Sequence, residues 1–287
     1  MVSTLRFVKH LALILLVLVL REVNIAFVPP PVVAHTDIVY GQVDEKHQSM
    51  DIYYPRKAAK IKEPVGAFLV IHGGSWIAGS KEEYRMFAVP LAKEGYVTAS
   101  TNYRFKPRIN DKGEVTTPGF TAADMMEDIG LAIQKLKETA AADGIEIDKL
   151  ALLGDSAGAH LALLYAYSHP NGTADAPAIP IAFVVARSAP VTASADNAFP
   201  GDYSMDMNVM HHVTKDAPPT ILCYATHDEL VDPAEQSIPL RDRLTELKVP
   251  VECFVYEHAG HALLHLLDMP THKISYDEIF AWGEKYL

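Results

Sequence analysis

Residues 150–167 read LALLGDSAGAHLALLYAY, the most informative stretch of the sequence. It opens with the short apolar run typical of a buried strand and closes with a run that is apolar on every side, typical of a helix packed against a sheet. Between them lies GDSAG, in the strand–turn–helix context of the G-x-S-x-G nucleophile elbow. Such a turn lifts its central side chain above the sheet. We therefore predict that Ser156 is a catalytic nucleophile; the alternative is a glycine-flanked turn without chemistry.

Short apolar runs of the buried-strand type recur along the chain, with helical patterns between them. One helical pattern has its apolar residues at 125, 129, 132, 133 and 136, which fall on one face. Strand–helix alternation favours a mostly parallel sheet with helices on both faces. The sequence therefore predicts an α/β fold, its eight-stranded sheet formed by 37–42 and 50–54 as antiparallel edge strands and by 65–71, 96–102, 150–154, 181–186, 220–225 and 251–256.

The composition of the 287 residues is that of a globular protein, with 49% hydrophobic and 21% charged residues. A formal net charge of −11 repels phosphate backbones and argues against a nucleic-acid partner. The two cysteines, Cys223 and Cys253, exclude a disulfide scaffold and a four-cysteine zinc site, and we expect buried free thiols. Because the C-terminal histidines match no common zinc spacing, we expect no metal and no organic cofactor.

The first 34 residues are typical of a targeting segment. Basic residues precede an uninterrupted apolar run at 11–20, which is shorter than the roughly 20 residues of a membrane span and matches the core of a signal peptide. Val-Val-Ala at 32–34 offers a cleavage site. We expect residues 1–34 to direct export, periplasmic or extracellular, and residues 35–287 to form one catalytic domain. The alternatives are a buried N-terminal helix and an uncleaved signal anchor, a membrane tether through residues 11–28.

A second glycine motif, IHGGSW at 71–76, closes the predicted strand at 65–71. Acyl transfer creates an oxyanion that backbone N–H groups stabilise, and glycines let a backbone approach a ligand closely. We predict an oxyanion hole formed by the N–H groups of Gly73, Gly74 and Ala157. His72 is expected to hold this loop by hydrogen bonds rather than act as a base, and Trp76 to wall the site and contact the substrate.

The acid of a triad should follow the nucleophile in the chain, and the base should follow the acid. Three acids follow the strand at 220–225, and Asp228 is nearest to the strand end, so it is the predicted acid. Glu229 is expected in solvent. Asp232 resembles a helix N-cap, because proline and, three residues on, glutamate follow it. Pro239 then indicates a late helix start or a kink.

The base is expected on a loop above the strand ends, after the last strand at 251–256. His261 stands there, and the preceding Gly260 suits a loop. His258 and His265 are the competing histidines.

These residues resemble the α/β-hydrolase superfamily, within the carboxylesterases that have an HGG oxyanion loop. HGGSW at 72–76, NYRFKP at 102–107, GDSAGAHLA at 154–162, THDELV at 226–231 and the pair Gly260-His261 match in order. The pattern is similar to an acetyl and feruloyl esterase-like branch and to the arylformamidase branch. Two departures stand out. Ser75 replaces a third glycine found in many relatives, and residues 35–50 leave no room for the long N-terminal helical cap of hormone-sensitive-lipase-like members.

The resemblance implies a serine hydrolase that cleaves short-chain carboxylic esters through Ser156, His261 and Asp228 and an acyl-enzyme. The alternatives are an amide hydrolase, either an arylformamidase or a peptidase, and a non-catalytic binding module. Predicted export favours a small-molecule or polysaccharide-linked ester. Residues 188–219 are the sizeable excursion over the site, either a small mobile lid or a surface loop with a few core-facing anchors.

Overall fold

The structure of the protein is a computed structural model that describes residues 32–55, 63–110, 112–168, 172–173, 176–177, 179–261 and 269–287. Within these ranges, the side chains of 33, 172–173, 176–177 and 269–275 are not described. The predicted export segment therefore lies outside the described residues, except for positions 32–34. In the part of the chain that is described, no helix is long and apolar enough to cross a membrane.

The centre of the fold is an eight-stranded sheet. In chain order the strands are β1 (Val32–Val39), β2 (Ser49–Pro55), β3 (Val65–Ile71), β4 (Val97–Thr101), β5 (Arg108–Ile109), β6 (Val115–Thr117), β7 (Ile147–Asp155), β8 (Gly172–Thr173), β9 (Ala176–Pro177), β10 (Ile181–Arg187), β11 (Thr220–Ala225) and β12 (Val251–Tyr256). The sheet order is β1-β2-β4-β3-β7-β10-β11-β12, and β5–β6 and β8–β9 form two small hairpins. Pairing is antiparallel from β1 to β4 and parallel from there on, which confirms the predicted fold class.

Helices cover both faces of this sheet. They are α1 (Lys81–Lys93), α2 (Ala122–Ala142), α3 (Ala157–Ser168), α4 (Val209–His212), α5 (Ser237–Glu246) and α6 (Met269–Tyr286). Alternate residues of β3 point to opposite sides, so that Leu69 joins the core formed with α2 and α3, and Phe68 joins the core formed with α1 and α6. The predicted apolar face of α2 is buried, and α3 is buried from Ala157 to Tyr167.

The first strand begins earlier than we predicted. Residues 32–34, the predicted cleavage site, pair with residues 53–55 of β2, and Val32 is buried. The physical reason is that an apolar Val-Val-Ala run fits a buried sheet position as well as it fits a signal-peptide boundary.

The turn after β11 also differs from the sequence reading. The N-cap assigned to Asp232 is wrong, because α5 begins at Ser237 with Gln236 as its N-cap. The Asp232 carboxylate instead accepts a hydrogen bond from the Ala234 N–H, at 2.8 Å, inside a preceding turn. The late helix start indicated by Pro239 is confirmed, since Pro239 is the third residue of α5.

Cys223 and Cys253 are free cysteines, the first buried and the second half-buried, which confirms free thiols. Cys223 pairs in register with Phe254, and Cys253 with Leu222, so the two thiols lie one register position apart.

Residues 188–219 are anchored to the core by the buried side chains of Phe199, Met207 and Val209, as expected of a loop with core-facing anchors.

Candidate active site

Ser156 occupies a sharp turn between β7, which ends at Asp155, and α3, which begins at Ala157. Its φ of 51° lies in the left-handed region, which costs energy for a residue with a side chain. The turn is held by a hydrogen bond from the Ser156 N–H to the Arg187 carbonyl, at 2.7 Å. A Cβ at position 158 would lie 2.2 Å from the Ile71 carbonyl oxygen, so glycine is required there for α3 to approach β3.

A chain of hydrogen bonds connects the three residues predicted as nucleophile, base and acid. His261 Nε2 lies 3.0 Å from Ser156 Oγ, and His261 Nδ1 lies 2.8 Å from Asp228 Oδ2. The other oxygen of Asp228 accepts the N–H groups of Leu230 and Val231, at 3.0 and 2.8 Å. The Asp228 side chain is fully buried, whereas His261 is partly exposed. Such a chain can remove the Ser156 proton and stabilise the imidazolium that results.

The described acids and histidines that competed with Asp228 and His261 in the sequence analysis do not take part in this chain of hydrogen bonds. Glu229 is exposed, as expected, and Asp232 is exposed in its own turn. The N–H of His258 donates to Thr226 Oγ1 at 2.8 Å, and its ring packs against His227. His265 lies outside the described residues.

The HGGSW loop is strained over several residues in a row. Gly74 has φ 120°, and Ser75 and Trp76 have φ 54° and 61°. A Cβ at Gly73 would lie 3.3 Å from the Ser156 Cβ, so this backbone lies directly against the nucleophile. In the described ranges, the N–H groups of Gly74 and Ala157 have no backbone acceptor, and the Gly73 N–H faces the Tyr84 hydroxyl. Free donors beside a nucleophile are what an oxyanion hole requires.

His72 holds the loop in the way we expected. Its Nδ1 lies 2.7 Å from the Gly73 carbonyl oxygen, and its ring stacks on Tyr103 with 4.3 Å between ring centroids. Complete burial lowers the pKa of His72 to about 4, so the ring is neutral at pH 7 and donates through Nδ1. It makes no contact with the Ser156–His261 pair that would suit a base.

Trp76, the last residue of the HGGSW loop, is buried. The indole is 7% exposed and packs between the rings of His160 and Phe199. His160 is fully buried, its Nε2 is 2.8 Å from the Met207 carbonyl oxygen, and burial lowers its pKa to about 4. Direct contact of Trp76 with a substrate stays a prediction.

Sequence reasoning missed one polar contact behind the nucleophile. Tyr84, on α1, donates its hydroxyl hydrogen bond to Asp155 Oδ2 at 2.8 Å. The same hydroxyl lies 3.1 Å from the Cβ position of Gly73, so Tyr84 connects the elbow and the oxyanion loop. Tyr84 and Asp155 are 71 residues apart, and no local pattern could have brought them together. Among the described residues, no group of acids, histidines and cysteines could hold a metal ion.

The chain is similar to a protein family and to named hydrolases over part of its length. The BD-FAE family model matches residues 50–192, about half of the chain. A probable isoprenylcysteine α-carbonyl methylesterase of rice (Oryza sativa subsp. japonica) is 34% identical over 125 residues, which are 44% of this chain and 26% of that protein. The kynurenine formamidase of zebrafish (Danio rerio) is 29% identical over 45% of this chain and 37% of its own length. The chain thus spans about a quarter to a third of these relatives.

Solved structures share the whole fold at low sequence identity. A truncated carbohydrate esterase from gut microbiota superimposes with a TM-score of 0.69 at 18% identity, covering 90% of this chain and 99% of that one. Esterase B of Lactobacillus rhamnosis gives a TM-score of 0.66 at 20% identity and covers 97% of each chain. With its mostly parallel eight-stranded sheet and its elbow at the end of β7, the chain has the α/β-hydrolase fold, and its residues 50–192 belong to the BD-FAE family.

Proposed function

We propose that this protein hydrolyses short-chain carboxylic esters, with Ser156 as nucleophile, His261 as general base and Asp228 as the acid that orients it. The observation that carries the proposal is the pair of hydrogen bonds through the His261 ring, at 3.0 Å to Ser156 and 2.8 Å to Asp228. A nucleophile, a base and a group that orients the base, each within hydrogen-bonding distance of the next, form the arrangement that activates a serine.

The reaction runs in two halves. Ser156 Oγ attacks the ester carbonyl carbon as its proton passes to His261 Nε2, and the carbonyl oxygen becomes an oxyanion that the N–H groups of Gly73, Gly74 and Ala157 stabilise. The C–O bond to the alcohol then breaks, and His261 gives its proton to the departing alcohol oxygen. Water repeats the sequence on the acyl-enzyme and releases the acid.

The proposal of short acyl groups rests on the segments expected to cover the site, which are short in the described ranges. In the described ranges the nine residues 40–48 that connect β1 to β2 contain no helix, and the loop at 188–219 is anchored by the buried side chains of Phe199 and Met207. The rice relative is named a methylesterase, and one structural neighbour a carbohydrate esterase. A small-molecule or polysaccharide-linked ester is therefore the proposed substrate class.

Amide hydrolysis is the second candidate. It is favoured by the similarity to the zebrafish kynurenine formamidase over 45% of this chain. A triad of this kind attacks amides as well as esters, and the leaving group decides which reaction is faster.

We also propose that the protein is exported. Supporting this, the apolar run at 11–20 has the length of a signal-peptide core. Because residues 32–34 pair with β2, cleavage after position 34 would remove three paired residues from the sheet. Retention as an anchor, or cleavage before Val32, therefore suits the fold better. The intact mass of the protein isolated from its host cell distinguishes these outcomes.

The experiment that tests the proposed function is a substrate panel assayed in parallel. It compares p-nitrophenyl acetate, p-nitrophenyl octanoate and N-formylkynurenine, with Ser156→Ala as the control for each. We expect the acetate to have the highest kcat/KM and Ser156→Ala to abolish its turnover. Faster formamide hydrolysis would support the second candidate. Unchanged turnover in Ser156→Ala would contradict both.

A further inference from the structure

A cleft of about 730 Å³ lies beside the HGGSW loop. Its walls are Ile77, residues 106–109 with the β5–β6 hairpin, the start of α2, and residues 197–202. A volume of this size is that of a small-molecule site.

The cleft is fixed to the candidate oxyanion loop by backbone hydrogen bonds. The Ile77 N–H donates to the Gly74 carbonyl at 3.0 Å, and the Lys106 N–H donates to the Trp76 carbonyl at 2.9 Å. Since the loop also contacts Ser156 through Gly73, the cleft wall and the nucleophile belong to one connected unit. A substrate that extends from Ser156 along this loop past Trp76 would enter the cleft.

Lys106 brings an unneutralised cation into the cleft. Its Nζ lies 4.8 Å from the ring centroids of both Trp76 and Phe199 and donates a hydrogen bond to the Ala198 carbonyl. In the described ranges Lys106 forms no salt bridge with an acid. Burial of the ammonium therefore lowers the pKa of Lys106 to about 8. An ammonium has three donors, and in the described residues the Ala198 carbonyl is the one hydrogen-bond acceptor that Lys106 Nζ has.

The other charges of the cleft leave it cationic. Arg108 lines it as well and uses one N–H on the Ile77 carbonyl, at 3.0 Å. Asp202 is the acid of the cleft, but its two oxygens accept the N–H groups of Ala122 and Ser204, at 2.7 and 2.9 Å. The carboxylate keeps its negative charge, so the three charged side chains that line the cleft, Lys106, Arg108 and Asp202, sum to +1. Two cations with free donors stand out in a chain of net charge −11.

We propose that Lys106 and Arg108 form an anion subsite that takes a carboxylate carried by the ester substrate. The enzyme would then prefer acidic esters over neutral esters of the same shape. This inference rests on the proposed ester hydrolysis at Ser156. The carboxylate can belong to the acyl half or to the alcohol half of the ester, and the two are separated by the assay.

The test uses two matched pairs of esters. Mono-p-nitrophenyl succinate and p-nitrophenyl levulinate differ by a carboxylate on the acyl half, and p-acetoxybenzoate and p-acetoxybenzamide differ by one on the alcohol half. For each pair, the ratio of kcat/KM for the acidic ester to kcat/KM for the neutral one is measured. The variants are Lys106→Met, which keeps an apolar stem against Trp76, Lys106→Arg, Arg108→Gln, and Lys215→Met as an exposed control.

We expect the wild-type ratio to exceed one in one of the two pairs, which identifies the half of the ester that enters the cleft. Lys106→Met should lower that ratio by about 10- to 100-fold, the effect of losing a hydrogen bond to a charged group. Arg108→Gln should lower it by about 2- to 5-fold because Arg108 is exposed. Lys106→Arg should keep most of the ratio, and Lys215→Met all of it.

A pH profile of the same ratio gives a second readout. Because kcat/KM reports the free enzyme, the preference should fall as the pH rises through about 8, where Lys106 loses its proton. Arginine keeps its charge in this range, and His160 behind Trp76 is already neutral.

The inference is overturned if both wild-type ratios are one or less, or if Lys106→Met leaves the ratios unchanged while neutral esters are still hydrolysed through Ser156. Failure of the proposed function looks different, because neutral esters would then not be turned over, or would be turned over equally by Ser156→Ala.

Discussion

At the scale of single residues, the two oxygens of Asp228 have separate tasks. One accepts the His261 Nδ1 hydrogen, and the other accepts two backbone N–H groups of its own turn. A carboxylate held in this way fixes both the position and the tautomer of the imidazole. The neighbouring acid Glu229 is exposed and makes neither kind of hydrogen bond within the described residues.

Asp228→Asn should therefore lower kcat by about 10⁴, because an amide at this position favours the wrong imidazole tautomer. Asp232→Asn is the matched control four residues away, and it should leave kcat nearly unchanged, since asparagine also accepts the Ala234 N–H. Steady-state kinetics on p-nitrophenyl acetate measure both. If Asp232→Asn were the damaging variant, the acid would have to be reassigned.

At the scale of secondary structure, the approach of α3 to β3 holds the elbow in place. A Cβ at Gly158 would meet the Ile71 and His72 carbonyl oxygens at 2.2 and 2.4 Å, both of them backbone atoms that cannot rotate away. The helix would have to move outward, together with the Ala157 N–H and the elbow.

We predict that Gly158→Ala destabilises the protein by about 3 kcal/mol or more, as overpacking of a rigid contact does. Gly130→Ala is the matched control, because Gly130 lies inside α2 and its Cβ would be 3.7 Å from Tyr165, an ordinary contact. That control should be neutral or stabilising by up to about 1 kcal/mol. Urea unfolding measures both changes, and equal effects would refute the close-approach argument.

The elements that the sequence predicted well are those with strong local patterns. The core strands and the all-buried α3 follow from local apolar runs, and the α2 face follows from apolar periodicity. The start of β1 and the start of α5 were missed because both depend on tertiary pairing: residues 32–34 on β2, and Gln236 on Thr192. The β5–β6 hairpin has exposed residues on both strands and no apolar pattern to find.

Local patterns in the sequence were also enough to predict the three candidate catalytic residues. Ser156 has a motif, and chain order with strand ends selects Asp228 and His261. Contacts such as Tyr84 with Asp155 and Lys106 with Phe199 join segments far apart in the chain, so only the folded structure reveals them.

At the scale of the whole molecule, we expect the anchored loop at 188–219 to leave room for short acyl chains only. Each added methylene would gain about 0.8 kcal/mol if it were buried, so a long pocket would give a kcat/KM that rises with chain length. We expect kcat/KM to be highest for acetyl to butyryl esters and to fall by octanoyl. Trp76→Ala should move this optimum toward longer chains. A wild-type optimum at octanoyl or beyond would contradict a short pocket.

The stability of the molecule should fall on mild acidification. Burial holds the pKa of His72 and His160 at about 4, below that of an unfolded histidine, so the unfolded chain binds more protons as the pH drops. The stabilisation is present above about pH 6.5 and is lost toward pH 4, with about 2 kcal/mol lost for each histidine between about pH 7 and pH 5. Urea unfolding at several pH values measures this loss. His160→Gln should remove its share of the pH dependence; an unchanged dependence would show that His160 does not titrate in this way.

Covalent labelling with a phosphonate identifies the nucleophile of the protein chemically. The wild-type protein is incubated with a p-nitrophenyl alkylphosphonate, a mimic of the tetrahedral intermediate, and the adduct is located by peptide mass spectrometry. We predict one adduct per chain, on Ser156, formed in parallel with the loss of esterase activity, and no adduct at this position in Ser156→Ala. An adduct on another residue, or full esterase activity without any adduct, would contradict the assignment of Ser156 as the nucleophile.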